Sequence, residues 1–181
     1  MWELSERNKL AAGLLLKDLP VFDSFEKREK PFTSFPFSIV MTQACDISSY
    51  CDVIDRIISD KDALVDRQII TQIIFCPAFD EDQFIEGRHL FIQYNYQMER
   101  LKSAEKEKYQ KDQHIRYHYL ESDKEEIPNL FIDFKQYFTL PAKFIVSLVR
   151  EDNNVPYKLE HLQYTYLADR FAHYLQRVAL Q

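Results

Sequence analysis

Only two glycines, Gly13 and Gly87, occur in the 181 residues. A phosphate-cradling loop or a dinucleotide fingerprint needs several glycines at short fixed spacing, so Walker-type and Rossmann chemistries are not expected. Long apolar runs are missing too. Mean hydropathy is -0.40, and no run approaches the roughly 18 to 20 apolar residues that cross a bilayer, so no membrane partner is expected. The three cysteines, Cys45, Cys51 and Cys76, form an odd set. The Met1-Trp2-Glu3 start lacks the basic-then-apolar layout of a secretory leader, and reduced thiols in a cytoplasmic protein are the simplest expectation. None of the paired cysteine spacings of a zinc site occurs, and no metal or other cofactor is expected. Cations are in deficit as well. Lys plus Arg is 23 against 29 for Asp plus Glu, a formal net charge of -6. That balance gives no global pull toward nucleic acid, and contact with RNA or DNA needs a local basic face.

What is present is apolar and aromatic: 46% of residues are hydrophobic, with fourteen Phe and eleven Tyr. Hydrophobic segments recur from end to end, which excludes a disordered chain. The run Leu10–Leu16 suits either a helix or a first strand broken at Gly13. Strands are expected over about 37–43, 68–78, 115–120, 129–138 and 144–149, where β-branched and aromatic residues cluster between turn residues. Asp46-Ile-Ser-Ser49 supplies turn chemistry after the first of these, and Pro77 is expected to close the second. Helical insertions are expected over about 53–65 and 97–112. A C-terminal amphipathic helix over about 159–178 follows from apolar residues at three- and four-residue steps. The predicted architecture is a single α+β domain, 1–181, with a small, strongly bent β-sheet or SH3-like barrel and inserted helices.

Several residue sets carry possible chemistry. Cys45-Asp46 falls after a predicted strand, where a thiolate acts as nucleophile if a histidine such as His118 or His114 lies in reach and Asp46 orients it. The bland alternative is a buried thiol with Asp46 capping a turn. His114 and His118 stand on a predicted strand roughly 13 Å apart at about 3.3 Å per residue, too far to share an ion. The acidic run Asp80-Glu81-Asp82 is either a Mg²⁺ cluster or a solvated turn. Five basic and four acidic side chains between Glu99 and Asp112 nearly cancel and suit a solvated helix face. On the last helix, Arg170, His173 and Arg177 share a face that can grip phosphate or an acidic partner, or simply complement the helix dipole.

The segments Pro36-Phe-Ser-Ile-Val-Met-Thr-Gln43 and Ile73-Ile-Phe-Cys-Pro-Ala78 resemble the two core strands of the PemK/MazF-type toxin endoribonucleases, a family of SH3-like barrels. That resemblance covers about a tenth of the chain. It implies RNA cleavage supported by a hydroxyl after the second strand and a basic residue, here Arg28 or Lys30, before the first; Phe79 stands where the hydroxyl is expected. A second resemblance rests on Thr42-Gln-Ala-Cys-Asp-Ile47, Ile127-Pro-Asn-Leu-Phe-Ile-Asp-Phe134 and Arg170-Phe-Ala-His-Tyr-Leu-Gln-Arg-Val-Ala-Leu180. These look like an uncharacterised bacterial family with a Ser/Thr-Gln-x-Cys-Asp motif, which implies a bacterial cytoplasmic accessory of a mobile or defence gene cluster.

The leading expectation is a non-enzymatic protein-interaction module that binds a protein partner through surplus surface aromatics. The alternative is a divergent toxin-type endoribonuclease or other nucleic-acid-binding protein, with Arg28, Thr42, Asp46 and His118 as its residues. A Cys45-dependent hydrolase or transferase is the third.

Overall fold

The computed structural model describes residues 1–22, 33–59, 69–151 and 157–179. In chain order its elements are β1 (Trp2–Leu4), β2 (Leu15–Val21), β3 (Thr33–Val40), α1 (Ala44–Ser59), β4 (Gln72–Asp80), α2 (Glu81–Ile85), α3 (Phe91–Tyr94), α4 (Ser103–Gln110), β5 (Tyr117–Leu120), β6 (Leu130–Asp133), β7 (Phe138–Pro141), α5 (Ala142–Glu151), β8 (Tyr157–Leu159) and α6 (His161–Ala179). A 3₁₀ turn, Phe134–Gln136, joins β6 to β7. The fold is mixed α+β. Its main sheet is antiparallel with the order β2-β3-β4-β6-β5, and β7 pairs with the first half of β4; β1 and β8 form a separate two-stranded ribbon. Among the described residues β2, β5 and β7 each pair on one side only and form the sheet's edges. The sheet does not close, which corrects the expectation of a barrel.

Alternation along the strands sorts the core into two faces. From β3 and β4, Ile39, Cys76 and Ala78 pack with Leu167 and Phe171 of α6, beside Trp2 and Leu159 of the ribbon. Val40, Ile73 and Phe75 point the other way, into Ile47 and Tyr50 of α1 and Ile145, Val146 and Val149 of α5. A strand covered on both faces is apolar at consecutive positions, and Ile-Ile-Phe-Cys-Pro-Ala-Phe in β4 has that pattern.

Pro77 lies inside β4 and does not close it. Met41 N donates to Ile74 O and Thr42 Oγ1 accepts from Ile74 N, so Ile74 faces β3. By alternation Pro77 faces the opposite side, where β7 pairs only as far as Phe75 and β6 begins at Ala78. A proline is tolerated where the ladder is interrupted, because no partner carbonyl waits for its missing N–H. The strand expected over 129–138 is accordingly split by the 3₁₀ turn.

The expected strand over 144–149 is overturned: these residues lie in α5. Ala142, Ile145, Val146 and Val149 are buried at helical steps, and Pro141 stands just ahead of the first turn. The β-branched content of Phe-Ile-Val-Ser-Leu-Val suits either structure, and packing against the sheet decides. The Asp46–Ser49 turn is corrected in the same way. Asp46 occupies the first turn of α1, where a carboxylate complements the helix dipole. Helix α1 therefore starts nine residues before the expected 53, and residues 60–65 of that expectation lie outside the described chain. The helix expected over 97–112 shrinks to Ser103–Gln110, started by Glu105, whose side chain accepts the Lys102 N–H at 3.0 Å. No helix among the described residues is long and apolar enough to cross a membrane.

Candidate interaction site

The residues singled out in the sequence do not converge. Thr42 is buried, and its hydroxyl accepts the Ile74 N–H at 2.8 Å, one step beyond the end of the β3–β4 ladder. Cys45 is exposed at the start of α1, with Gln43 and Asp46 as neighbours of its thiol. His118 is buried in β5, three strands from β3, a separation of roughly 14 Å at about 4.8 Å per strand. Arg28 and Lys30 lie outside the described residues. Cys51 and Cys76 have thiols that burial pushes up, so neither is poised as a thiolate. Among the described residues no group of three or more His, Cys, Asp or Glu is placed to hold a metal ion.

Of the cationic trio on α6, Arg170 turns inward while His173 and Arg177 remain exposed. The Arg170 guanidinium donates to the carbonyls of Asp112, His114 and Tyr117 at 2.8–3.1 Å. Asp112 accepts the Tyr119 N–H at 2.9 Å, and its other oxygen lies 3.0 Å from His118 Nδ1 in an off-axis approach. Burial acts to raise the Asp112 carboxyl, but His118, the Tyr119 N–H and Arg170 outweigh it and hold it low. Arg170 and Asp112 thus engage the Tyr117 carbonyl and the Tyr119 N–H on the outward side of edge strand β5.

Glu81 plays a similar part beside the acidic turn. Its carboxylate accepts from Gln110 Nε2 (2.7 Å), Asn129 Nδ2 (2.7 Å) and Tyr119 Oη (3.2 Å) and pairs with Lys106 at 3.2 Å, which fastens α4 to the sheet. Asp80 caps α2 by accepting the N–H groups of Asp82 and Gln83. The acidic run is therefore occupied with structure. A cavity of about 670 Å³ lies between residues 5–12 and α1. Two of its ion pairs, Lys9–Glu6 and Arg150–Asp55, satisfy charges within the cavity wall.

The exposed apolar side chains gather instead on a loop between α2 and α4. Met98 N donates to Gly87 O at 2.8 Å and Leu101 N to Ile85 O at 2.9 Å, so the two ends of 87–98 are clasped together. A compact surface loop of that length with touching ends is an Ω-loop, a common carrier of function. Gly87 permits the clasp: its φ is +71°, and a Cβ there would overlap the Met98 carbonyl. At the far end Asn95 closes α3 in the left-handed region, with φ 51°.

The loop is seated from below and apolar above. Leu90 packs on Phe35 and Phe79, and Gln93 Nε2 donates to Ser34 O at 3.1 Å. His89 sits deepest at 3% exposure, its ring 5.0 Å from Phe79 and 4.5 Å from Phe84. Neither of its ring nitrogens finds a hydrogen-bond partner among the described residues. Burial first, and the Arg116 charge second, push its pKa down to about 4, so it is neutral at pH 7. Above this root Ile92 is 80% and Tyr96 59% exposed, with Phe91 and Tyr94 about half exposed. Tyr94 Oη donates to Gln136 Oε1 at 3.5 Å, which links the loop to the 3₁₀ turn preceding exposed Tyr137. No helical or strand period in the sequence marks this loop. Its signal was one of only two glycines standing just ahead of Phe-Ile-Gln-Tyr-Asn-Tyr, a run rich in large apolar residues that matches neither period.

No family model, no curated protein and no solved structure matches the chain.

Proposed function

We propose that the protein is a non-enzymatic protein-interaction module whose docking face is the Ω-loop crown of Phe91, Ile92, Tyr94 and Tyr96, extended by Tyr137. The observation that carries this reading is a cluster of large apolar side chains left in solvent on a clasped, seated loop. A monomer gains nothing from such exposure, whereas aromatics held in fixed positions lose little conformational entropy when a partner covers them. Tyrosines with one polar end also suit a surface that is wet when free and buried when bound. The resemblance of Thr42–Ile47 and the C-terminal segment to a bacterial family supports a setting in the bacterial cytoplasm, as accessory to a mobile or defence gene cluster. A strongly bent sheet belongs to the same proposal; its support is that one side of β4 passes from β7 to β6 in mid-strand.

The test is a pull-down from the native host with three baits: wild type, Ile92→Ser/Tyr96→Ser, and Cys45→Ala/Asp46→Ala. Proteomics and RNA sequencing of the same eluates read the result. A single stoichiometric protein kept by the Cys45/Asp46 variant and lost by the loop variant is expected. RNA with uniform cut ends, lost when Cys45 and Asp46 are changed, would instead establish the endoribonuclease alternative.

A further inference from the structure

A buried histidine with no acceptor at the root of a display loop has a consequence for that loop. Its imidazole can stay buried only while neutral, because a cation enclosed by Phe79 and Phe84 has lost its water and gained no counter-charge. The charged group acting on it is Arg116, which repels a second positive charge. Asp133, the carboxylate beside Arg116, is engaged by Arg116 through Nε at 2.7 Å and through Nη2. Behind Phe84 stand the titratable rings of Tyr109, Tyr117 and His114. Burial raises both tyrosines and lowers His114, so none of them supplies a negative charge near neutrality. Gln93 adds a second misfit, since its buried Oε1 also lacks a partner among the described residues. The loop's polar root is thus undersatisfied at the positions that fix the crown.

We propose that His89 makes the Ω-loop an acid-released display: a proton on its imidazole unseats residues 87–98 from the sheet and disperses the Phe91–Tyr96 face. The proton comes from solvent when the loop opens, and the imidazolium keeps the loop out because water solvates it there. The inference takes its biological meaning from the docking face proposed above, but the opening itself is a property of the free protein. The sign follows from linkage. A ring that binds a proton near pH 6.5 when open and near pH 4 when seated favours the open loop as pH falls between those values. The open population should rise on the order of 20-fold from pH 7 to pH 5, with that pair of values and the linkage relation.

Amide hydrogen exchange on the full chain tests this, with β3 and β4 amides as the internal reference for the intrinsic pH dependence of exchange. Wild type is expected to lose loop protection relative to the sheet by on the order of 20-fold between pH 7 and pH 5. His89→Phe, which fills the aromatic box with a ring that cannot titrate, is expected to hold its protection. Equal loss in both proteins, or none in wild type, would overturn the proposal. Should His89→Phe not fold, an NMR titration of the wild-type imidazole decides: co-titration with loop amides well below pH 6.5 supports release, and a midpoint near 6.5 with unmoved loop amides refutes it. Loop opening at pH 5 with partner affinity unchanged would support the release and discard the docking face. Partner loss without opening would do the reverse.

Discussion

Thr42, Asp80, Glu81 and Arg170 look reactive in the sequence, but each uses its polar atoms to hold the fold together. Thr42→Val leaves the half-buried Ile74 N–H without its acceptor and is expected to cost about 1 kcal/mol in urea unfolding. Glu81→Gln puts an amide where four donors meet and is expected to cost about 2 kcal/mol at pH 7. Burial acts to raise the Glu81 carboxyl, but Asn129, Lys106 and Tyr119 together hold it below its ordinary value. Its folded pKa is therefore the lower one. Its contribution is complete above the unfolded value of about 4.3 and is lost as pH falls through the folded value. Urea titrations of wild type and Glu81→Gln should accordingly converge in acid. Gly87→Ala meets both a left-handed backbone and the Met98 carbonyl. A loss of about 2 kcal/mol or more is expected, with the greatest gain in hydrogen exchange across 85–101.

Among elements, two of the sheet's edges, β5 and β2, are blocked. On edge β5 Asp112 takes the Tyr119 N–H, and the Arg170 guanidinium takes the Tyr117 carbonyl while also tying down those of Asp112 and His114. Along edge β2 stand Lys17, Asp18 in the left-handed region and Pro20, each unfavourable to an incoming strand. At these two edges a partner therefore meets side chains and not a free ladder. Arg170→Ala is expected to cost about 3 kcal/mol and to expose 112–120 to exchange, and Arg170→Lys should recover less than half, since an ammonium cannot reproduce the planar fork. The sequence made strands β3 and β4 legible through runs of β-branched and aromatic residues between turn residues, and helix α6 through apolar residues at three- and four-residue steps. It misled at α5, where Phe-Ile-Val-Ser-Leu-Val suits both periods and only burial of Ala142, Ile145, Val146 and Val149 against the sheet chooses. It also misled at Asp46, because the residues that make turns are those that start helices.

For the whole molecule, the aromatic surplus was legible in composition, but its location was not. Most Phe rings enter the two sheet-face cores or the stack around Phe84 and Phe131, where distant segments meet. What remains outside is set by three-dimensional closure: the Gly87–Met98 clasp turns its apolar neighbours outward because Leu90, His89 and Gln93 take the inward places. That closure depends on contacts with β3 and β4, and no local pattern encodes it. The proposed role of this crown is to bind a protein. Its most direct test is the affinity of the captured partner for wild type and for Ile92→Ser/Tyr96→Ser, measured by calorimetry at pH 7 with thermal unfolding of both proteins alongside. A docking crown gives a Kd weakened by about 100-fold or more in the variant, in line with loss of two central anchors, and an unfolding midpoint unchanged within a few degrees. A Kd within about threefold of wild type in an intact variant would contradict it.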